Sequence, residues 1–231
     1  MSDPLDNPFW SALQSRHRHL AQGVGEARRY PPEFAPFLGV ASADMSAAAL
    51  APLVRPAETV YLIGVAPAPA PGWTLQAFRP LAQMICTKPL AVIAGPEPIE
   101  LTTAHRADVL ALTALVYPHY FRERTLELGR YFGIYRDGRL AAMIGERLGM
   151  EGRQEMSAIC THPDCNGRGY ARRLTALLTN DNLERGRLPF LHVSHENSRA
   201  ERLYLQLGYE HRCDIGFWSL QREPTCRAGP I

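Results

Sequence analysis

Lysine is nearly absent: the 25 lysine and arginine residues include a single lysine, Lys88. With 23 acidic residues the formal net charge is only +2, so the chain lacks the broad basic field that gathers nucleic acid. Arginine suits bidentate phosphate contacts, and it is equally abundant in proteins of GC-rich genomes. Cysteine is scarce too. Cys86, Cys160, Cys165, Cys213 and Cys226 form no CxxC pair, and the odd count argues against a disulfide framework or a zinc knuckle. No metal site is expected, and a reducing cytoplasm is the natural setting. No apolar run approaches the length of a membrane span. The opening "MSDPLDNPFW" lacks the basic-then-apolar order of a secretory leader.

What is present is ordinary globular material: 46% hydrophobic and 21% charged residues, enough for a real core. Length favours one or two domains, and punctuation divides the chain near residue 100, giving an N-terminal α/β domain at 1–98 and a second domain at 99–231. In the first, helices are expected at "SALQSRHRHLAQ" and "ADMSAAALAPLV", and strands at "FLGVA", "TVYLIGV" and "TLQAFRPLAQMIC". The stretch "APAPAPG" between the last two reads as a stiff extended connector. His17 and His19 stand two apart on a helical pattern, a poor metal pair.

The second half alternates more clearly. A helix capped at Thr103 or Asp108 should run to Val116. "YFGIYRD" and "RLAAMIGERL" should form a hairpin through Asp137-Gly138. "QEMSAICTHP" is a third strand, followed by the loop "NGRGYA" and a helix with Leu174, Leu177, Leu178 and Leu183 on one face. A buried strand "LPFLHVSH", a helix "ENSRAERLYLQLGY" and a last strand "DIGFWSLQ" complete an α/β pattern with a crossover.

The loop after Thr161 has no lysine followed by Ser or Thr, which excludes a P-loop. Position 172 is arginine where a dinucleotide fingerprint needs glycine. Gly167 and Gly169 still let backbone N–H groups face a ligand, the following helix N-terminus favours an anion, and Arg168, Arg172 and Arg173 add charge. A pyrophosphate cradle and a plain strand-to-helix turn both satisfy the loop alone.

Residues 197–209 bear on that choice. Asn166-Gly167-Arg168-Gly169-Tyr170-Ala171, followed by Asn197, Ala200, Leu203, Tyr204, Leu207, Gly208 and Tyr209, resembles the paired motifs of the GNAT superfamily of acyl-CoA-dependent N-acyltransferases. Asn166 departs from the Gln or Arg usual there. The resemblance covers about 99–220 and is similar to a branch of small predicted acetyltransferases with "CTHP" before the loop and "PFLHV" after it. It implies an α/β (α+β) fold: a mixed, mostly antiparallel sheet with splayed central strands and flanking helices. Residues 1–98, whose strands and helices are similar in kind, read as a smaller α/β domain in front, a degenerate GNAT-like half.

The resemblance further implies acetyl-CoA as co-substrate, with residues 166–171 holding its pyrophosphate. The strand edge Ile159, Cys160 and Thr161 would pair with the pantetheine arm, and a backbone N–H near Ile159 or Cys160 would serve as the oxyanion donor. Asn197 reads as a cofactor contact or simply as an N-cap. Tyr204 is the candidate acid for the leaving thiolate, or else a core tyrosine. Glu155 is the candidate base, sharing a strand face with Ser157, Ile159 and Thr161; a solvated strand-end glutamate, with water as base, is the other reading. His162, His192 and His195 lie near the site in sequence as possible relays, and Cys160 reads as an apolar strand residue rather than a nucleophile.

The implied activity is direct acetyl transfer to a small amine, amino acid or peptide by a cytoplasmic monomer or homodimer. A non-catalytic acyl-CoA-binding module is the competing class.

Overall fold

The computed structural model describes residues 3–116 and 118–224; Cys226 lies outside them. In chain order the elements are α1 (Pro8–Gln14), β1 (Gln22–Val24), β2 (Ala27–Arg29), β3 (Leu38–Val40), β4 (Thr59–Ile63), β5 (Trp73–Ala77), β6 (Leu81–Ile85) and β7 (Ile99–Glu100). Then follow α2 (Arg106–Val116), β8 (Tyr131–Arg136), β9 (Arg139–Met150), β10 (Arg153–Thr161), α3 (Tyr170–Glu184), β11 (Leu188–Ser194), α4 (Ser198–Leu207), β12 (Glu210–Ile215) and β13 (Phe217–Arg222).

The central sheet has seven strands in the order β12-β6-β11-β10-β9-β8-β7. All its neighbours are antiparallel except β10 and β11. That single parallel pair needs a crossover, and α3 supplies it, laying Leu174 and Leu178 on the sheet beside Ile144, Met156 and Leu191. α2 covers a separate cluster with Val109 and Leu112 against Tyr131, Met143 and Cys160. The fold is thus the expected mixed α/β arrangement with an antiparallel-dominated sheet.

Asp137 (φ 50°) and Gly138 (φ 73°) both take left-handed angles, as a two-residue hairpin requires, and they close β8 onto β9 at Arg136 and Arg139.

Both sequence halves contribute to the same sheets. β6 inserts between β11 and β12, and β4 and β5 flank β13 in a three-stranded sheet. β1, β2 and β3 form a second small sheet. The expected strand at 74–86 is two strands, because the chain turns at Arg79-Pro80 and changes sheet.

Two helix expectations in the first half need correcting. The first helix starts earlier, at Pro8, where a missing N–H costs nothing. It stops at Gln14, with Ser15 Oγ bonding back to the Ser11 carbonyl at 2.6 Å. The second, at 43–54, reduces to one 3-10 turn at Ala47–Leu50. Pro52 has no N–H to extend it, and the proline connector takes its backbone groups: Ala47 N–H bonds Ala68 O, and Ala68 N–H bonds Met45 O.

Candidate active site

β10 and β11 define the site by parting. They pair at Arg153–Leu188, Gln154–Pro189 and Glu155–Phe190, and no further. Beyond Glu155, residues 156–161 have no partner on the β11 side. On the other side the register with β9 slips between Ser157 and Cys160. Ala158, with φ of 49°, forms the bulge, so Ala158 and Ile159 have no cross-strand partner in either register. A bulge of this kind re-aims backbone and side chains where the ladder opens.

Two cavities meet at the opening. A groove of about 800 Å³ runs along Thr161, the loop 166–171 and the exposed side of α4. A cleft of about 520 Å³ lies on the other side, between Met156–Cys160 and Leu191–Ser194. Ile159, Asn197, Ala200 and Tyr204 line both. The structure therefore brings Ile159, Thr161, Asn166, Gly167, Arg168, Gly169, Tyr170, Ala171, Asn197 and Tyr204 to one surface, with Cys160 and Glu155 on the cleft side.

The groove gathers uncapped amides and positive charge. Gly167 (φ 77°) and Gly169 (φ 78°) are both left-handed, and a Cβ on Gly167 would meet nothing within 4 Å. Gly169 is the N-cap of α3 but offers no side chain to the first-turn amides, which leaves orphan donors and the positive helix end at the groove. Arg168, Arg172, Arg199 and Arg202 line the same surface, and Arg172 Nε is a buried donor without a partner. Asn166 is exposed and lines the groove, and its N–H bonds the Pro163 carbonyl. Replacing Gly169 by Val forces a β-branched residue into left-handed backbone, with its Cβ 2.8 Å from Ile93 Cδ1. Affinity for CoA, measured by calorimetry, is expected to fall at least about tenfold.

Arg173 does not belong to that charge set. It is buried, with Nε on the Pro96 carbonyl at 2.9 Å, Nη1 on the Ile93 carbonyl at 2.6 Å and Nη2 on Glu97 at 2.5 Å. It ties residues 93–97 across α3. Arg173→Ala should cost about 2 kcal/mol of stability in a denaturant titration, with CoA affinity intact, whereas Arg168→Ala should do the reverse.

Glu155 stands elsewhere than a solvated strand end or a free base. It is 1% exposed and bound by Arg147 through two bonds of 2.7 and 2.8 Å, while His192 Nδ1 lies 2.8 Å away. Gln83 fixes the histidine's tautomer. Its Oε1 accepts from Arg212, so its Nε2 donates to the Leu5 carbonyl and to His192 Nε2. His192 Nδ1–H is then the donor to Glu155. Burial alone raises a carboxyl's pKa, but the Arg147 charge and the hydrogen bonds from Arg147 and His192 outweigh it and hold Glu155 at about 2. A carboxylate so stabilised is a weak proton acceptor.

The other candidates separate as follows. Tyr204 is buried at the junction of the cavities, beside Tyr209 at 6.0 Å between ring centroids. Asn197 Oδ1 accepts from Ala200 N–H, so it caps α4 while lining both cavities. Burial pushes the Cys160 thiol up to about 12, which makes it inert as a nucleophile. His162 Nδ1 accepts from Asp164 N–H in the turn before the loop, and His195 pairs with Asp214 and Glu201 on the surface.

Arg147, Gln83 and the aromatic residues of the cleft, among them Phe37, Phe78, Tyr120 and Phe217, were not singled out from sequence. Arg147 had a local signal: the turn at 151–152 pairs Met150 with Arg153, which carries 147–148 opposite Glu155.

The FR47-like protein family model matches residues 131–218, the span from β8 into β13 that contains the loop, the splay and α4. A GNAT-family structure from Novosphingobium aromaticivorans is 33% identical, covers 96% of this chain and 100% of its own, and superposes with a TM-score of 0.88. This chain belongs to the GNAT family and is an acyltransferase. A GCN5-related N-acetyltransferase from Kribbella flavida, 17% identical, shares the fold over 94% of this chain and 93% of its own at a TM-score of 0.57. A GNAT-family acetyltransferase from Colwellia psychrerythraea, 16% identical, covers 64% of this chain and 57% of its own at 0.52. No curated protein sequence matches the chain. No helix among the described residues is long and apolar enough to cross a membrane.

Proposed function

We propose that this GNAT-family protein transfers an acetyl group from acetyl-CoA to a primary amine by direct attack. The reading rests on one observation: an anion-fitted groove and a separate cleft meet across a splayed strand pair at Tyr204. The uncapped amides of α3 with Arg168 and Arg172 suit the cofactor's diphosphate. Its pantetheine arm would lie along the unpaired edge at Ile159–Thr161, which leads toward the cleft. The thioester supplies the activated acyl group; this chain orients it, shields it and moves one proton.

In the step, the amine nitrogen forms a C–N bond to the thioester carbonyl and the C–S bond breaks. Backbone N–H groups at the Ala158–Ile159 bulge would stabilise the oxyanion, and the Tyr204 hydroxyl would protonate the departing thiolate. Glu155, held ionised by Arg147, fixes the strand and His192 instead of taking the amine proton. The acceptor then reacts as the free amine; its nitrogen sheds one proton to water and keeps the other in the amide, and water returns a proton to the Tyr204 oxygen. Its kcat/KM should rise about tenfold per pH unit below the amine's own pKa, with no plateau set by an enzyme carboxylate.

Acetyl-CoA incubated with an amine panel, following free thiol and acetylated amine, tests the reading. CoA binding without turnover across the panel would favour a binding module.

A further inference from the structure

The cleft's lining carries an inference about the acceptor, which rests on the acyl-transfer reading above. Its walls are aromatic. Phe37 lies 6.1 Å from Tyr120, Tyr120 lies 6.1 Å from Phe217, and Phe217 lies 5.2 Å from Phe78. The rings form a continuous run from buried Phe37 to Phe78, which is 38% exposed at the mouth. Flat apolar groups gain from offset and edge contacts with such rings.

The charges facing the cleft cancel in pairs. Arg147 is committed bidentately to Glu155 inside, and Arg79 faces Glu196 at 3.6 Å on the rim, both well exposed. Among the described residues lining the cleft, a polyamine or basic peptide would find no carboxylate outside these two pairs. An amino acid's carboxylate would find its nearest buried guanidinium already engaged, and would have to be desolvated without a partner. Residues 1–98 supply much of this wall, including Phe37, Phe78 and Arg79.

We infer that the acceptor is a primary amine on an aromatic or similarly flat apolar body without a carboxylate, and that Phe78 and Tyr120 set this preference.

The test compares kcat/KM for 2-phenylethylamine, L-phenylalanine, methylamine, spermidine and a lysine-containing peptide at fixed acetyl-CoA. 2-Phenylethylamine should exceed L-phenylalanine, spermidine and the peptide by at least about tenfold. Phe78→Ala, a change at an exposed position, should lower the 2-phenylethylamine-to-methylamine ratio of kcat/KM about tenfold, with KM for acetyl-CoA unmoved. Preference for spermidine, the peptide or L-phenylalanine would overturn the inference and leave acyl transfer standing. If no amine is turned over, the acyl-transfer reading fails, and calorimetry of 2-phenylethylamine into CoA-loaded protein decides this one: saturable binding weakened by Phe78→Ala supports it, and no binding overturns it.

Discussion

Glu155→Gln is expected to remove on the order of 3 kcal/mol of stability at neutral pH, because it leaves the buried Arg147 charge without its counter-ion. The pH dependence follows from the carboxyl's titration. Its pKa falls from an ordinary 4.5 to about 2 in the fold, so the contribution is fully present above the unfolded value. It is lost as pH drops from about 5 toward 2. Wild type and variant should therefore converge in that acid window and stay parallel above it. Replacing both partners by Met should recover much of the loss, since neither charge is then buried alone. Urea titrations at pH 7, 5 and 3 read all three effects. A small, pH-independent difference would mean that the pair does not anchor the splayed strand.

Tyr204→Phe should lower kcat about 100-fold, within the range of a lost general acid, while the Kd for CoA stays within about twofold. The substitution removes one oxygen from a side chain 7% exposed and leaves its packing on Leu207 and Tyr209. A loss confined to Kd would make Tyr204 a cofactor contact. Full activity would assign the proton to water.

What was legible in the sequence was local. The glycine loop and α4 lie on contiguous segments whose spacing reports their own geometry, and the 137–138 hairpin is a property of two adjacent residues. The groove residues 166–171 and the junction residues Asn197 and Tyr204 were reached through the family resemblance that those two segments carry. What was hidden was long-range. Nothing near residues 81–85 indicates that they insert between strands more than a hundred residues later, so the cleft's wall of Phe37 and Phe78 could not be placed. Glu155 shows the same limit at closer range: its position on the strand face was readable, but its chemistry is set by Arg147 and His192. The helix expected at 43–54 failed because backbone groups at Met45 and Ala47 found partners on the proline connector, an outcome that local propensity does not register.

The most direct test of the central claim, that groove and cleft form one acyl-transfer site, is paired product counting. Acetyl-CoA and 2-phenylethylamine are incubated with the protein, and free CoA thiol and N-acetylated amine are quantified together with the mass of the intact protein. One acetylated amine per thiol, no acetylated protein and near-abolition by Tyr204→Phe are predicted. Saturable CoA binding with neither product, from any amine tried, would contradict the account.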